Sequence, residues 1–267
     1  MQFQAFYNSP PATKFIYLEN IKISDADFSS QLDIFSTDGL RSDYDVQFMF
    51  TNLTIDSIGF ENVGNILSLN QKLSSTLVIQ NSTFTNLDHA VITIGSTSNS
   101  ADDSFQPKVN FINCIFNSTT SSSSSFISVL GRAEVSISNC SFSYMSTLGD
   151  GAVLTVGERL AIVRISISVF SFNSAVQGGV FNLQSESKIV CTNCSLTDNF
   201  AVSGGVVKAT VNGQFEFFNS TFSRNMANEY LLFFMFDNVQ LSIVDSSTIF
   251  DNIALSTTTI VQELTDN

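Results

Sequence analysis

Apolar and polar residues alternate with period two in short segments that recur along the chain. The clearest copies are Val135–Phe142, Ile189–Leu196 and Phe215–Phe222. This alternation is typical of β-strands with one buried face, whereas a helix would place apolar residues three and four positions apart. β-Branched and aromatic residues fill the segments and the chain has only 3 prolines, which also favours strands. The sequence therefore predicts an all-β fold.

Weaker copies extend the repeat over nearly the whole chain. An apolar residue follows a template Asn by three positions, and this row consists of Ile23, Ile55, Phe84, Phe116, Phe142, Phe170, Leu196, Phe222 and, after one inserted residue, Ile249. Successive members are 26 to 32 residues apart, which is a period typical of solenoids. One coil alone buries too little apolar area to offset its ordering entropy, so coils must stack. We predict a single right-handed parallel β-helix of about nine coils over residues 1–267, with the Phe row as the spine of its core.

Gly and Asn residues are predicted to form the corners of each coil. A Gly-Gly pair follows the apolar row at Gly178-Gly179 and at Gly204-Gly205, and Gly151 begins a variant. Such residues adopt the left-handed backbone conformation without the usual steric penalty. We expect Gly205 to need that conformation, so that Gly205→Val would destabilise the fold. We expect the template Asn residues to hydrogen-bond to their stacked equivalents.

The same residues carry a family resemblance. Phe170–Asn173 and Phe222–Asn225 match a Phe-x-x-Asn motif, and Gly178–Val180 and Gly204–Val206 match a Gly-Gly-apolar motif. The chain thereby resembles the repeats of chlamydial polymorphic outer-membrane proteins and related pectin-lyase-like β-helices, and such repeats also recur in large surface proteins of protists. The strict matches cover residues 170–225, and the degenerate pattern covers nearly everything. The resemblance implies a β-helix in an adhesin-like, surface-exposed setting.

Charge and composition narrow the possible partners. The net charge of −13 creates a negative field that repels phosphate backbones, so nucleic acid is not expected as a partner. No apolar stretch reaches the roughly 18 residues of a membrane helix, and the N-terminus lacks a signal-peptide pattern. We expect an extracellular or cell-surface protein, given as an excerpt of a longer chain or as a unit that stacks on other copies.

The 4 cysteines have a structural and a covalent interpretation. Cys114, Cys140 and Cys194 share one column of the repeat, where other coils have Ser, and could fill a tight inward row. Stacked equivalents lie about 4.8 Å apart, within the Cα range of a disulfide, so Cys114 and Cys140 could also be bridged. The Cys191-x-x-Cys194 pair lacks the further ligands of a zinc site, and we predict neither a metal nor a cofactor.

Candidate catalytic residues are few. The only histidine, His89, has no nucleophile nearby in sequence and is interpreted as a turn or core residue. Asp102, Asp103 and Asp150 are acidic residues without a recognisable motif, and no catalytic residue is assigned. Because two carboxylates suffice for glycosidase chemistry, a carbohydrate-active enzyme stays as an alternative.

Six Asn-x-Ser/Thr sequons are possible N-glycosylation sites: Asn52, Asn81, Asn117, Asn139, Asn193 and Asn219. All except Asn117 occupy the corner Asn column, where a structural role would explain them without sugar. Asn117 lies beside the Ser121–Ser125 tract and is the better glycan candidate.

An aromatic segment, Tyr230–Phe236, takes the place that Gly204–Thr210 occupies one coil earlier. Phe233 and Met235 are predicted to point inward, whereas Phe234 and Phe236 point outward and, with Leu232, form a candidate interface. The chain's own C-terminal tail or another subunit could cover it. The function predicted from these features is a non-enzymatic structural or adhesive scaffold that could assemble into fibres. A polysaccharide lyase, a glycoside hydrolase or a glycan-binding module is the alternative, and the expected partners are further copies, other surface proteins or glycans.

Overall fold

The computed structural model describes residues 14–28, 33–36, 46–69, 76–95, 106–121, 124–157, 161–244, 246–255 and 261–264, and all regular elements in these ranges are β-strands. The strands are β1 (Lys14–Glu19), β2 (Lys22–Phe28), β3 (Asp33–Ser36), β4 (Val46–Thr51), β5 (Thr54–Leu69), β6 (Thr76–Gln80), β7 (Thr83–Gly95), β8 (Lys108–Ile112), β9 (Ile115–Ser121), β10 (Ile127–Leu130), β11 (Glu134–Ser138), β12 (Ser141–Thr147), β13 (Leu154–Gly157), β14 (Ile162–Ser166), β15 (Val169–Ser171), β16 (Ser174–Gln177), β17 (Phe181–Gln184), β18 (Lys188–Thr192), β19 (Ser195–Thr197), β20 (Phe200–Ser203), β21 (Val207–Ala209), β22 (Gln214–Phe218), β23 (Thr221–Ser223), β24 (Met226–Glu229), β25 (Phe233–Phe236), β26 (Gln240–Val244), β27 (Thr248–Phe250), β28 (Ile253–Ala254) and β29 (Val261–Leu264).

The strands stack in parallel, each pairing with its equivalent in the next coil. One sheet contains nine strands in the order β1, β4, β6, β8, β11, β14, β18, β22 and β26, each from a successive copy of the repeat. The solenoid makes about seven turns, slightly fewer than the nine coils that the repeat predicts. The predicted all-β parallel solenoid is confirmed.

The apolar row forms one continuous column inside the solenoid. Strand register links each predicted member, from Ile23 to Ile249, directly to the next. The rings of Phe116 and Phe142 stack with centroids 4.5 Å apart and planes within 7°, and Phe142 stacks likewise on Phe170. Stacked aromatic pairs add about 0.5–1.5 kcal/mol beyond the area they bury. The Phe residues are therefore the spine of the core, as predicted.

Each coil turns at two corners with a left-handed backbone, five residues apart. The first corners are Asn20, Asn52, Asn81, Asn113, Asn139, Ile167, Asn193, Asn219 and Ser246, and the second are Asp25, Ser57, Asn86, Ser118, Tyr144, Phe172, Asp198, Arg224 and Asp251. Asn and Asp tolerate this conformation better than other non-glycine residues. The Asn139 side chain donates a hydrogen bond to Asn113 Oδ1 at 2.9 Å, and Asn219 donates one to Asn193 at 2.6 Å. The predicted ladder of corner Asn residues is confirmed.

A second Asn ladder is buried directly after the second corner. Asn173, Asn199 and Asn225 occupy it and are almost completely buried. The Asn199 Nδ2 group donates to the carbonyl oxygen of Phe170 at 3.0 Å and to Asn225 Oδ1 at 2.9 Å. Asn199 Oδ1 accepts from the backbone N–H of Asn173 at 3.1 Å. This ladder gives the Asn of the Phe-x-x-Asn motif a physical role, since it satisfies backbone groups at the tightest corner of the coil.

The two glycines of each Gly-Gly pair have different roles. Gly178 and Gly204 have φ of 63° and 64° and take the left-handed conformation, whereas Gly179 and Gly205 do not. The prediction that Gly205 needs a positive φ is therefore wrong. A Cβ on Gly205 would instead lie 2.7 Å from the carbonyl oxygen of Leu231, so close approach of the next coil is the reason for this glycine.

Candidate functional surface

Three exposed corner residues depart from the residue types that suit their backbone. Ile167 occupies a first corner, and Tyr144 and Phe172 occupy second corners, with φ of 50°, 56° and 56°. The equivalent positions in the other coils hold Asn, Asp, Ser or Arg. Bulky and β-branched residues in this conformation are outliers, at a cost on the order of 1–3 kcal/mol each.

These residues are also exposed, so burial does not offset the strain. Ile167 is 59% exposed, Tyr144 55%, Phe172 49% and the neighbouring Val169 41%. We call these four residues the apolar edge. Both features oppose folding in isolation, and their coincidence on two neighbouring coils points to a role outside the fold.

The two aromatic rings of the apolar edge are held parallel. Their centroids are 5.0 Å apart and their planes lie within 7° of each other, a spacing close to the roughly 4.8 Å between neighbouring strands. The rings therefore turn their faces towards each other along the solenoid axis and present their edges to solvent. Because each ring belongs to a corner between paired strands, the pair is fixed in position before any partner binds.

The rim of the apolar edge is polar. On one side Arg224 makes two hydrogen bonds to the Asp198 carboxylate, at 2.8 Å and 2.7 Å. Hydrogen bonding to Asp198, with the added charge of Asp251, raises the pKa of Arg224. On the other side Ser143 donates to the Asn117 side chain at 3.1 Å. The edge thus has an apolar centre bounded by an ion pair and by hydroxyl and amide groups.

The segment that the sequence indicated as an interface is largely inside the protein. Leu232 is fully buried and Phe234 is only 7% exposed, so the expectation of an exposed patch is wrong for both. Phe234 points outward, but the Tyr230 ring stacks on it at 4.9 Å, and Gly204 approaches its Cβ closely. Phe236 packs edge-on against Phe234 and is half-buried. The inward orientation of Phe233 and Met235 is confirmed.

The acidic residues considered for catalysis do not form a described cluster. Asp150 pairs with Lys208, with Oδ2 and Nζ 2.5 Å apart, and so ties the Gly151 turn to a strand two coils away. Asp102 and Asp103 lie outside the described residues. Across the described ranges, no group of three or more His, Cys, Asp or Glu side chains is placed to hold a metal ion.

His89 lies in β7 with a left-handed backbone, φ 55°. Its Nε2 is 3.6 Å from the Asp88 carboxylate of the preceding residue. The histidine therefore sits where the backbone bends, which agrees with its interpretation as a turn residue.

The cysteine column forms a ladder of small inward residues. Cys114, Cys140 and Cys194 are buried, and the Cys114 backbone N–H donates to Cys140 Sγ at 3.4 Å. The same bond is made to a hydroxyl elsewhere in the column, from the Cys140 N–H to Ser168 Oγ at 3.2 Å. The structural interpretation of these cysteines is confirmed, because thiol and hydroxyl groups accept the same backbone hydrogen bond in different coils.

All four cysteines are unbridged thiols in the structure. The hydrogen bond with Cys140 and burial both raise the pKa of Cys114, and burial raises the pKa of Cys191. The same hydrogen bond with Cys114 lowers the pKa of Cys140, so the pKa values of the two thiols in the possible disulfide are shifted in opposite directions. A Cys114–Cys140 disulfide stays a prediction.

The Cys column gives a test of this ladder. We expect Cys140→Ser to change the free energy of unfolding by less than about 1 kcal/mol, since Ser occupies the equivalent position in other coils. Cys140→Val should cost about 1–3 kcal/mol, because it leaves the buried Cys114 N–H without an acceptor. Urea unfolding followed by circular dichroism measures both. Equal losses would contradict the hydrogen-bonding role.

The sequon asparagines divide into two groups. Asn52, Asn81, Asn139, Asn193 and Asn219 are exposed corner residues, so each side chain is reachable at the surface although most belong to the Asn ladder. Asn117 lies on β9, is half-buried and accepts a hydrogen bond from Ser143. Glycosylation of these six residues stays a prediction.

The architecture defines the chain as a parallel β-solenoid whose exterior, not its filled interior, is available for binding. A family model described as right handed beta helix region matches residues 66–260, about three quarters of the chain, and the protein belongs to this family. The family relationship and the right-handed fold predicted from the repeats are thus confirmed. No curated protein matches the chain, and no solved structure does. The family includes both enzymes and non-enzymes.

Proposed function

We propose that this protein is a non-enzymatic structural or adhesive scaffold of a cell surface or extracellular assembly, and that it binds through the apolar edge. The observation that carries the proposal is the coincidence of strain and exposure at Tyr144, Ile167 and Phe172. A core residue gains burial in return for strain, and a solvated corner residue avoids strain by being Asn or Asp. These three residues do neither, which is the pattern of a preformed contact surface.

The remainder of the coil supports a scaffold role. Ladders of corner Asn side chains, of buried Asn side chains, and of Cys thiols and Ser hydroxyls that accept backbone hydrogen bonds connect successive coils. Such repeated nearest-neighbour bonds hold surface groups at fixed spacing along the solenoid. A rigid display of outward residues serves recognition better than a mobile loop does, because less freedom is lost on binding.

The proposed location follows from the surface chemistry. Charged residues make up only 13% of the chain, and Asn and Ser occupy most of the described corners. Five sequon asparagines are exposed. Among the described residues none forms a helix of the length and hydropathy that a membrane span requires.

Adhesion to cells provides the test of this function. Beads coated with the native chain should bind to cells or to immobilised surface material, and beads carrying Tyr144→Asn together with Phe172→Asn should lose at least tenfold in binding. Asn tolerates the left-handed corner, so this double variant should be no less stable than the native chain. The matched control is Phe15→Asn with Tyr17→Asn, which removes two other exposed aromatics from an ordinary strand and should leave adhesion unchanged.

Two outcomes would overturn the proposal. Equal adhesion by the native chain and the Tyr144/Phe172 variant would show that the apolar edge does not take part in adhesion. Release of reducing or unsaturated sugars from polysaccharides by the native chain, abolished by Asp150→Asn, would establish a carbohydrate-active enzyme instead.

A further inference from the structure

We infer that the apolar edge docks a protein partner whose surface combines an apolar pocket with positive charge. This inference rests on the proposed adhesive function and adds to it the chemistry of the partner. It follows from the ring geometry, the extent of the edge and the charge of the chain.

The ring geometry favours a protein over a glycan. Sugar rings stack on the open face of an aromatic ring, and the stack of Tyr144 on Phe172, with planes 7° apart, leaves each ring only one of its two faces for such a contact. Their edges project instead, and Ile167 and Val169 widen the projection with aliphatic groups. A projecting aromatic and aliphatic ridge fits a pocket between the side chains of another protein, as the anchors of protein interfaces do.

The composition of the rim supports the same conclusion. Arg224, two coils from Phe172, is held by both oxygens of Asp198, the corner residue next to Phe172, and is therefore fixed in place. Aromatic residues and Arg are enriched in protein interfaces, where a polar rim surrounds an apolar centre. The apolar edge and its polar rim have this same arrangement over a smaller area.

The extent of the edge makes it the centre of a contact rather than a complete interface. Four half-exposed side chains expose on the order of 400 Å², within the range of functional patches. A stable interface buries about 800 Å² on each partner. A partner must therefore also contact the polar rim, where charge then decides which surfaces are accepted.

Charge selects a basic partner over a second copy of this chain. Two chains of net charge −13 repel each other, whereas a basic surface is attracted over a distance set by the ionic strength. The charged corner residue next to Phe172 is Asp198, whereas Asp251 lies two coils beyond Asp198. Arg224 neutralises Asp198, so the attraction of a basic partner comes from the net charge of the whole chain.

Selection of peptides tests this inference directly. A random 12-residue phage-displayed library is passed over the Tyr144→Asn/Phe172→Asn variant to remove common binders and is then selected on the native chain. We expect enriched peptides with Lys or Arg next to large apolar residues, bound at least tenfold more tightly by the native chain than by that variant. Their Kd should rise at least threefold between 50 mM and 300 mM salt. The Phe15→Asn/Tyr17→Asn control should bind them as the native chain does.

Contrary outcomes separate the inference from the proposed function. Enriched peptides that lack basic residues, or whose Kd does not change with salt, would overturn the charge argument while adhesion through the edge persists. Native-specific binding to neutral oligosaccharides on a glycan array, without any peptide enrichment, would replace the protein partner by a glycan. A dimer in sedimentation that the double substitution dissolves would replace it by a second copy. Loss of native adhesion to every tested surface would instead remove the proposed function itself.

Discussion

Asn199→Leu is expected to lower the free energy of unfolding by about 3–5 kcal/mol, because several buried polar groups lose their partners together. The Asn199 side chain binds the backbone N–H of Asn173, the carbonyl oxygen of Phe170 and the side chain of Asn225. Leucine has the same number and branching of side-chain heavy atoms as asparagine, so the substitution leaves no cavity and removes the hydrogen bonds. Urea unfolding followed by far-ultraviolet circular dichroism measures it.

The matched control is Asn219→Ser in the exposed ladder. Ser246 already occupies this corner column with a φ of 55°, and water can replace the lost bond to Asn193. We expect a loss below about 1 kcal/mol. Similar losses for the two substitutions would show that burial of the second ladder does not matter, and would contradict the role assigned to it.

The period of the apolar pattern was enough to predict which residues stack in the core. Once the row from Ile23 to Ile249 is aligned, parallel stacking follows, because only coils in register bury all its members together. The column of Cys114 and Cys140 is fixed by the same alignment. Small residues recur there since the column lies beside a tight corner.

The second corner was missed, and the reason lies in its residue types. In four early coils it is Asp25, Ser57, Asn86 and Ser118, a polar column that follows the Asn column by five residues. That column is visible in the sequence and would have identified the corner. Tyr144 and Phe172 interrupt this polar column. Aligning the second corners of the coils as well as the first would therefore have identified the apolar edge.

The buried Asn ladder and the misplaced interface share a physical cause. A left-handed residue reverses the alternation of inward and outward side chains, so Asn173 after Phe172 turns inward although its polarity suggests the surface. Conversely, Phe234 is outward by alternation but is covered by Tyr230. A period-two pattern predicts which side of a strand a residue faces, but it does not predict whether a residue of the neighbouring turn covers that side.

Gly179→Ala is expected to lower the free energy of unfolding by about 3 kcal/mol, because added atoms in a closely packed region force the backbone to move. The new Cβ would lie 2.3 Å from the carbonyl oxygen of Gly205 and 2.7 Å from that of Phe200. Both atoms belong to the backbone of the next coil, where Phe200 lies in β20 and the Gly205 N–H donates to the carbonyl oxygen of Leu231, so neither can move away without loss of hydrogen bonds. Thermal and urea unfolding measure the loss.

Gly157→Ala is the matched control for this crowding. Its Cβ would come no closer than 3.4 Å to any atom, and that atom is the end of the flexible Gln184 side chain. We expect a change within about 0.5 kcal/mol. If both alanine variants were equally stable, close approach between coils would not be what requires the second glycine.

If Gly179→Ala alone is destabilised, the Gly-Gly motif combines two separate demands, a left-handed corner at its first residue and contact between coils at its second. Gly204-Gly205 would then obey the same rule, since Gly204 has the left-handed φ and a Cβ on Gly205 would lie 2.7 Å from the carbonyl oxygen of Leu231.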